Sequence, residues 1–175
     1  NVLEIKRGKG TFIREDYTPK MVAGLEDTAS AKVDIDDLYE MRLIFEPEIA
    51  YYATIRASDR ELERIFAIGK EIEVLLLKGI DYTHKEMMFH CSIANATHNE
   101  FINQLEPVLH QSIEKGVYLY ETEHIPVEQV ISEHRMIMEF MKNRNAEGAR
   151  SAMRVHIMHA IDQLEINKNQ GNNKA

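Results

Sequence analysis

Ser58-Asp59-Arg60-Glu61-Leu62-Glu63-Arg64-Ile65-Phe66-Ala67-Ile68-Gly69-Lys70-Glu71-Ile72-Glu73-Val74-Leu75-Leu76 is the stretch that decides the fold class of this chain. It opens on a capping box. The serine hydroxyl satisfies a backbone donor three residues on, while Glu61 reaches back to the serine amide. Leu62, Ile65, Ile68 or Gly69, Ile72 and Leu76 then recur every three or four residues, the period of one helical face. Gly79 supplies the stop, because glycine accepts the left-handed backbone that closes a helix. The spacing predicts a helix over 59–78.

Outward from this segment the same period repeats. A preceding helix is expected over 35–57, with Leu38, Met41, Phe45, Ile49, Tyr52 and Ile55 as its apolar face and a kink at Pro47. Helices follow over 81–97, over 100–121 (capped by Asn99, bent by Pro107), over 127–143 after the break at His124-Ile125-Pro126, and over 146–167 (capped by Asn145). Six helices with short connections make an all-α protein, an antiparallel bundle of six or seven helices. Residues 1–14 read differently, as a β-hairpin: strand formers on both sides of the turn Arg7-Gly8-Lys9-Gly10. Residues 15–33 show no period and contain Pro19 and Gly24, the composition of a linker. The bundle then occupies 34–167, and 168–175 is a polar tail expected to be disordered.

The charge balance narrows the function. The net charge of −8 argues against the bulk of the chain gripping nucleic acid. Residues 1–14 nevertheless carry Lys6, Arg7, Lys9 and Arg14 against Glu4, which makes Lys6, Arg7 and Lys9 candidates for contacts to DNA phosphates. A single cysteine, Cys91, excludes an intrachain disulfide framework. No apolar run approaches the roughly 20 residues of a membrane span, and no signal peptide is visible, so the expectation is cytoplasmic with no membrane partner.

Histidines interrupt faces that should be apolar. His134 lies within Val130, Ile131, Ile137, Met138 and Met141; His156 lies within Ala149, Met153, Ala160 and Leu164. Glu86 and His90, four residues apart, share one side of their helix with Ile93, Ala94 and Thr97. One histidine on such a stripe is commonly a core residue bonded to backbone. Three helices each burying one is a different matter, since each unpartnered polar group costs about 1–3 kcal/mol. A divalent cation removes that cost for all of them together, and imidazoles with a carboxylate suit Zn²⁺ or a similar first-row ion. Glu86, His90, His134 and His156 are the candidate metal ligands. Asp81 is the fallback carboxylate, and His159, three residues from His156, is a candidate supporting group. His84 faces away, His98 and His124 sit at helix breaks, and His110 has only a weak claim to line a cavity.

With these residues in view, a resemblance emerges. Arg7-Gly8-Lys9-Gly10-Thr11-Phe12-Ile13 resembles the wing hairpin that ends the DNA-binding domain of GntR-type regulators. Asp37-Leu38-Tyr39-Glu40-Met41-Arg42 through Glu46-Pro47-Glu48-Ile49-Ala50 resembles the first helix of the effector (FCD) domain in the FadR subfamily. Glu86-x-x-Phe89-His90 resembles that domain's acid-x-x-Phe-His signature, with glutamate where the family usually has aspartate, and the spacing from His134 to His156 fits its last two metal histidines. The resemblance implies a homodimeric transcription regulator that binds operator DNA through a preceding domain. It implies an effector domain holding zinc or nickel, and a small carboxylate effector bound beside the metal. Arg42 is the candidate clamp for that carboxylate, although pairing with Glu46 on the surface is its plainer reading. Seven methionines (Met87, Met88, Met136, Met138, Met141, Met153 and Met158) are candidates for an adaptable cavity lining, with plain core packing the alternative.

Three rival readings remain at this stage. A metalloenzyme also uses histidine-rich sites, but no His-Glu-x-x-His arrangement occurs and no spare carboxylate is evident beside the cluster. A structural metal in an interaction module is the second. A di-iron bundle needs paired Glu-x-x-His motifs, and Ile131 and Met153 occupy the required positions.

Overall fold

Three local signals build the helices as expected. In the computed structural model, Ser58 accepts from the Glu61 amide while the Glu61 carboxylate accepts from Ser58 N, completing the capping box. Asn145 accepts from Gly148 N at 2.9 Å and starts the last helix. Gly79, at φ +62°, ends its helix with paired bonds, Gly79 N to Leu76 O and Ile80 N to Leu75 O, the Schellman pattern. The structure describes residues 3–6, 10–13, 34–105, 113–114 and 126–172; for 3–6, 10–13 and 167–172 this is the backbone alone.

Strands β1 (Leu3–Lys6) and β2 (Gly10–Ile13) pair antiparallel, Leu3 opposite Ile13 and Lys6 opposite Gly10. Arg7, Lys9, Arg14 and the linker 15–33 lie outside the described residues, as does the Lys6 side chain. Six helices follow among the described residues: α1 (Ile35–Arg56), α2 (Asp59–Leu77), α3 (Thr83–Asn95), α4 (Glu100–Asn103), α5 (Val127–Lys142) and α6 (Ala146–Asn172). The chain is an all-helical bundle in which α1 packs most extensively on α6 and also meets α3 and α5, while α2 packs on α3 and α5.

The core lies between these faces. Ile65 and Ile72 of α2, Phe89 and Ile93 of α3, Ile137 and Met141 of α5 and Met153 and Ile157 of α6 are all essentially inaccessible. On α2 every residue of the expected stripe is buried. Gly69 belongs there for a packing reason, since a methyl group added to it would lie 2.5 Å from Met138 Sδ.

Three sequence expectations need correction. The buried face of α1 is Leu38, Tyr39, Arg42, Glu46, Ile49, Ala50, Ala53 and Thr54, whereas Phe45, Tyr52 and Ile55 of the expected stripe are exposed. The helix is apolar on two sides. The face with Ala50 and Ala53 is buried, and so are Ala149 and Ala152 of α6, the helix on which α1 packs most extensively. The helix expected over 100–121 stops at Asn103, with residues 104–105 in a turn, and of the remainder only Ile113 and Glu114 are described, as helix. Pro107 accounts for the stop: its missing N–H and its ring act on the carbonyl four residues earlier, which belongs to Asn103. Finally, α6 continues through Asn172 rather than ending at 167, because nothing between Lys168 and Gln170 breaks a helix already begun. No helix among the described residues is long and apolar enough to cross a membrane.

Candidate metal centre

The helical period delivers the three histidines to one place. On α5, His134 lies among the buried residues Ile131, Ile137 and Met141; on α6, His156 lies among Met153, Ile157 and Leu164. On α3, Glu86 and His90 are one turn apart on its buried side. Ligand atoms of Glu86, His90, His134 and His156 all lie within 4.8 Å of one another, and all four residues are buried. Glu86 is the hub. Its Oε1 lies 3.1 Å from His90 Nε2, 3.2 Å from His134 Nε2 and 3.6 Å from His156 Nε2. Bonds of about 2.0–2.2 Å to a shared ion place donor atoms within about 4.4 Å of each other, so small side-chain adjustments suffice.

Two further carboxylates surround the cluster. Glu46 of α1 accepts from Arg42 Nε at 2.5 Å, and its other oxygen lies 2.5 Å from His90 Nδ1, too oblique for a hydrogen bond. Glu133 of α5 accepts from His156 Nδ1 at 3.0 Å, from His159 Nδ1 at 2.5 Å and from Gln129 at 3.0 Å. The two carboxylates thus turn the Nε2 atoms of His90 and His156 toward Glu86. His134 has no such support. Only 2% exposed, it has no hydrogen-bond partner at either ring nitrogen.

Electrostatics follow from this crowding. Burial pushes the Glu86 carboxyl up, but His134, and then His156 and His90, hold it well below its ordinary value. Burial acts the same way on Glu46, and Arg42 and His90 reverse it to about 2. Burial presses His134 downward, and Glu86 offsets this only in part. His156 is likewise opposed by burial, yet its hydrogen bonds to Glu133 and Glu86 push it up to about 9. Three buried carboxylates therefore face a single buried guanidinium among the described residues. With His156 raised to about 9, its imidazolium adds a second positive charge near neutral pH, and the cluster is still left net negative, a balance that a cation would offset.

A small cavity of about 40 Å³ adjoins the cluster, with Glu86, His156, Glu133, His159, Arg42 and Tyr39 in its wall. Arg42 is 3% exposed, so its pairing with Glu46 is a buried contact rather than a surface one. Its guanidinium also lies 4.9 Å from the Tyr39 ring centroid.

Other candidates fall outside. Asp81 is exposed and accepts from Thr83 N and Oγ1, a local turn at the start of α3. His84 and His98 are exposed, and His110 and His124 are not among the described residues. Among the described residues no methionine lines the cavity: Met141 and Met153 are core, while Met136 and Met158 are exposed. The expectation that no spare carboxylate stands beside the cluster is overturned by Glu46 and Glu133. A signal for Glu46 was present, since it falls on the α1 face that carries Ala50 and Ala53. Glu133 precedes His134 by one residue, about 100° around the helix, and although His156 and His159 were both candidates, no sequence signal pairs Glu133 with them.

A helical bundle with polar groups of several helices gathered inside it defines the class of protein, and comparison agrees. The chain belongs to the FCD domain family, whose model matches residues 37–159. It is 25% identical over 170 residues to the HTH-type transcriptional regulator LutR of Bacillus subtilis (strain 168), covering 93% of this chain and 77% of that protein. It is 23% identical over 165 residues to the Uxu operon regulator of Haemophilus influenzae, covering 89% of this chain and 59% of that protein. The solved structure of Streptococcus agalactiae GntR superposes with a TM-score of 0.67 at 26% identity, covering 93% of this chain and 75% of that one. These proteins are transcription regulators, and the chain is read with them rather than with metalloenzymes.

Proposed function

We propose that this chain is the effector-sensing part of a bacterial transcription regulator, in which Glu86, His90, His134 and His156 hold a divalent transition metal and a small carboxylic acid binds beside them. The observation that carries the reading is His134, a buried imidazole with no hydrogen bond at either nitrogen, whose Nε2 lies 3.2 Å from the carboxylate it shares with two other histidines. Its depressed basicity supports a neutral ring, the form that ligates metals. Nitrogen and oxygen donors select a first-row ion, with zinc preferred and nickel possible. When bound, the metal would supply a charged anchor for a carboxylate oxygen beside the cavity. Arg42 on the cavity wall offers planar donors to the same ligand, and Tyr39 adds a hydroxyl.

In this reading the domain pairs with a second copy and acts on operator DNA through a preceding domain, with Lys6, Arg7 and Lys9 touching phosphate. Metal analysis of the purified chain, with a thermal-shift screen of small carboxylates, tests it. A stoichiometric metal and carboxylate-dependent stabilisation are expected, following RT ln(1 + [L]/Kd). A chain that takes up neither zinc nor nickel would overturn the reading. Metal uptake with indifference to every carboxylate would leave a structural metal instead.

A further inference from the structure

Arg42 and Glu46 differ from the other buried charges because they lie on α1, a helix that supplies none of the four clustered ligands. They reach the cluster through one ring. His90 Nδ1 lies 2.5 Å from Glu46 Oε2, while its Nε2 lies 3.1 Å from Glu86 Oε1 and 3.5 Å from Arg42 Nη2. Arg42, Glu46 and His90 are all within 3% of complete burial. Glu133 plays the matching part for His156, but it sits on α5, which already contributes His134. Glu46 is therefore the contact that brings an additional helix to the site.

We infer that Glu46 is a positioning residue that sets the His90 ring for the cation and, through that contact, makes α1 the helix that registers whether the site is filled. The inference rests on the metal reading above. A carboxylate facing Nδ1 determines which ring nitrogen carries the proton and leaves the Nε2 lone pair toward Glu86. The two groups are in close contact without a hydrogen bond between them, so the energy of this pair is sensitive to how His90 is held. Glu46 cannot follow the ring freely, because Arg42 grips its other oxygen from the same helix. The strain or relief therefore passes to α1 itself. The far end of α1 is held separately: the Arg144 guanidinium, at the α5–α6 turn, donates to Thr54 O and Ala57 O. From Glu46 the route along α1 leads to its first turn at Ile35, just after the segment read as a linker.

The test uses the full chain and the variant Glu46→Gln, with Zn²⁺ and Ni²⁺ as probes. Metal affinity is read by competition with a chromophoric chelator. Amide hydrogen exchange is followed separately in α1, α5 and α6, with and without saturating Zn²⁺. The variant should bind zinc about 10–100-fold more weakly. Zinc should slow exchange in α1 of the native chain and leave α1 of the saturated variant unchanged, while α5 and α6 respond in both. A merely structural role for Glu46 would not separate α1 from α5 and α6 in this way. Should Glu46→Gln fail to fold, the double variant R42M/E46Q, which leaves no charge of the pair behind, carries the same two readouts. Affinity within twofold of native, or an α1 response unchanged by the substitution, overturns the inference. A native chain that binds neither ion sinks the metal reading and the inference with it. Native binding with an indifferent variant sinks the inference alone.

Discussion

Two regions of the same helices, a turn or so apart, are buried equally and held by different physics. Ile93 of α3, Ile137 and Met141 of α5 and Met153 of α6 form an apolar region; His90, His134 and His156 on those helices form a polar one. The apolar region is non-directional and stabilises by area removed from water, about 1.5–3 kcal/mol for each large side chain. The polar region has to satisfy every donor and acceptor, since an unmatched buried group costs about as much as an apolar one contributes. It does so incompletely: Glu86 Oε2 and both nitrogens of His134 lack hydrogen-bond partners. One region is complete in itself, and the other leaves polar atoms unmatched.

That contrast can be broken in order of expected effect. Glu46→Ala should be the most damaging single change, because it strands the Arg42 guanidinium in the interior. A loss of about 3–5 kcal/mol is expected in urea unfolding, and a loss below about 1 would mean that Arg42 finds another partner. Ile137→Ala, in the apolar region, should cost about 2–5 kcal/mol, and the same amount with or without a chelator present. Chelation should separate the regions cleanly. If the free metal concentration had been one hundred times Kd, stripping the metal lowers stability by about 2.7 kcal/mol. His134→Ala should abolish that difference; a chelator effect that survives the substitution would place the ion elsewhere.

The smallest effect lies far from both regions, at the start of α2. Ser58→Ala removes the hydroxyl that caps the helix and should cost about 1 kcal/mol. Hydrogen bonds from the Ser58 hydroxyl and amide hold the Glu61 carboxyl below its ordinary value despite some opposing burial. The sign follows: a depressed folded-state value contributes stability above the ordinary carboxylate pKa and loses it as pH falls through the folded one. Native stability should therefore fall in mild acid in part because of Glu61, and the acid limb of a stability–pH curve should be shallower in Ser58→Ala. An unchanged slope would discount the capping box as its source.

How legible each part was in the sequence follows the same division. The α2 stripe and the capping box could be read directly, because one apolar face and one cap pattern admit a single arrangement. The four clustered side chains were legible for a related reason: a histidine in the middle of an apolar stripe is buried whichever neighbour covers it. On α1 the reading chose the wrong side. Apolar residues lie on two faces there, and periodicity cannot weigh a stripe containing Phe45 and Tyr52 against one containing Ala50 and Ala53. The consequence reached the site, since Arg42 and Glu46 look like an ordinary surface pair until that face is known to be buried. Glu133 was passed over because its worth depends on His156 and His159, 23 and 26 residues away on another helix.

From the order of residues alone came the helical class, the capping points, and the identity of Glu86, His90, His134 and His156 as groups that must share an interior. These depend on local periods and on the penalty for hiding polar atoms, both of which act along a single segment. Which side of α1 turns inward, and hence that Glu46 stands against His90 and Arg42 on the cavity wall, was decided only when helices distant in the chain packed together. Contacts of that kind depend on the shapes of both partners, and no single helix contains them.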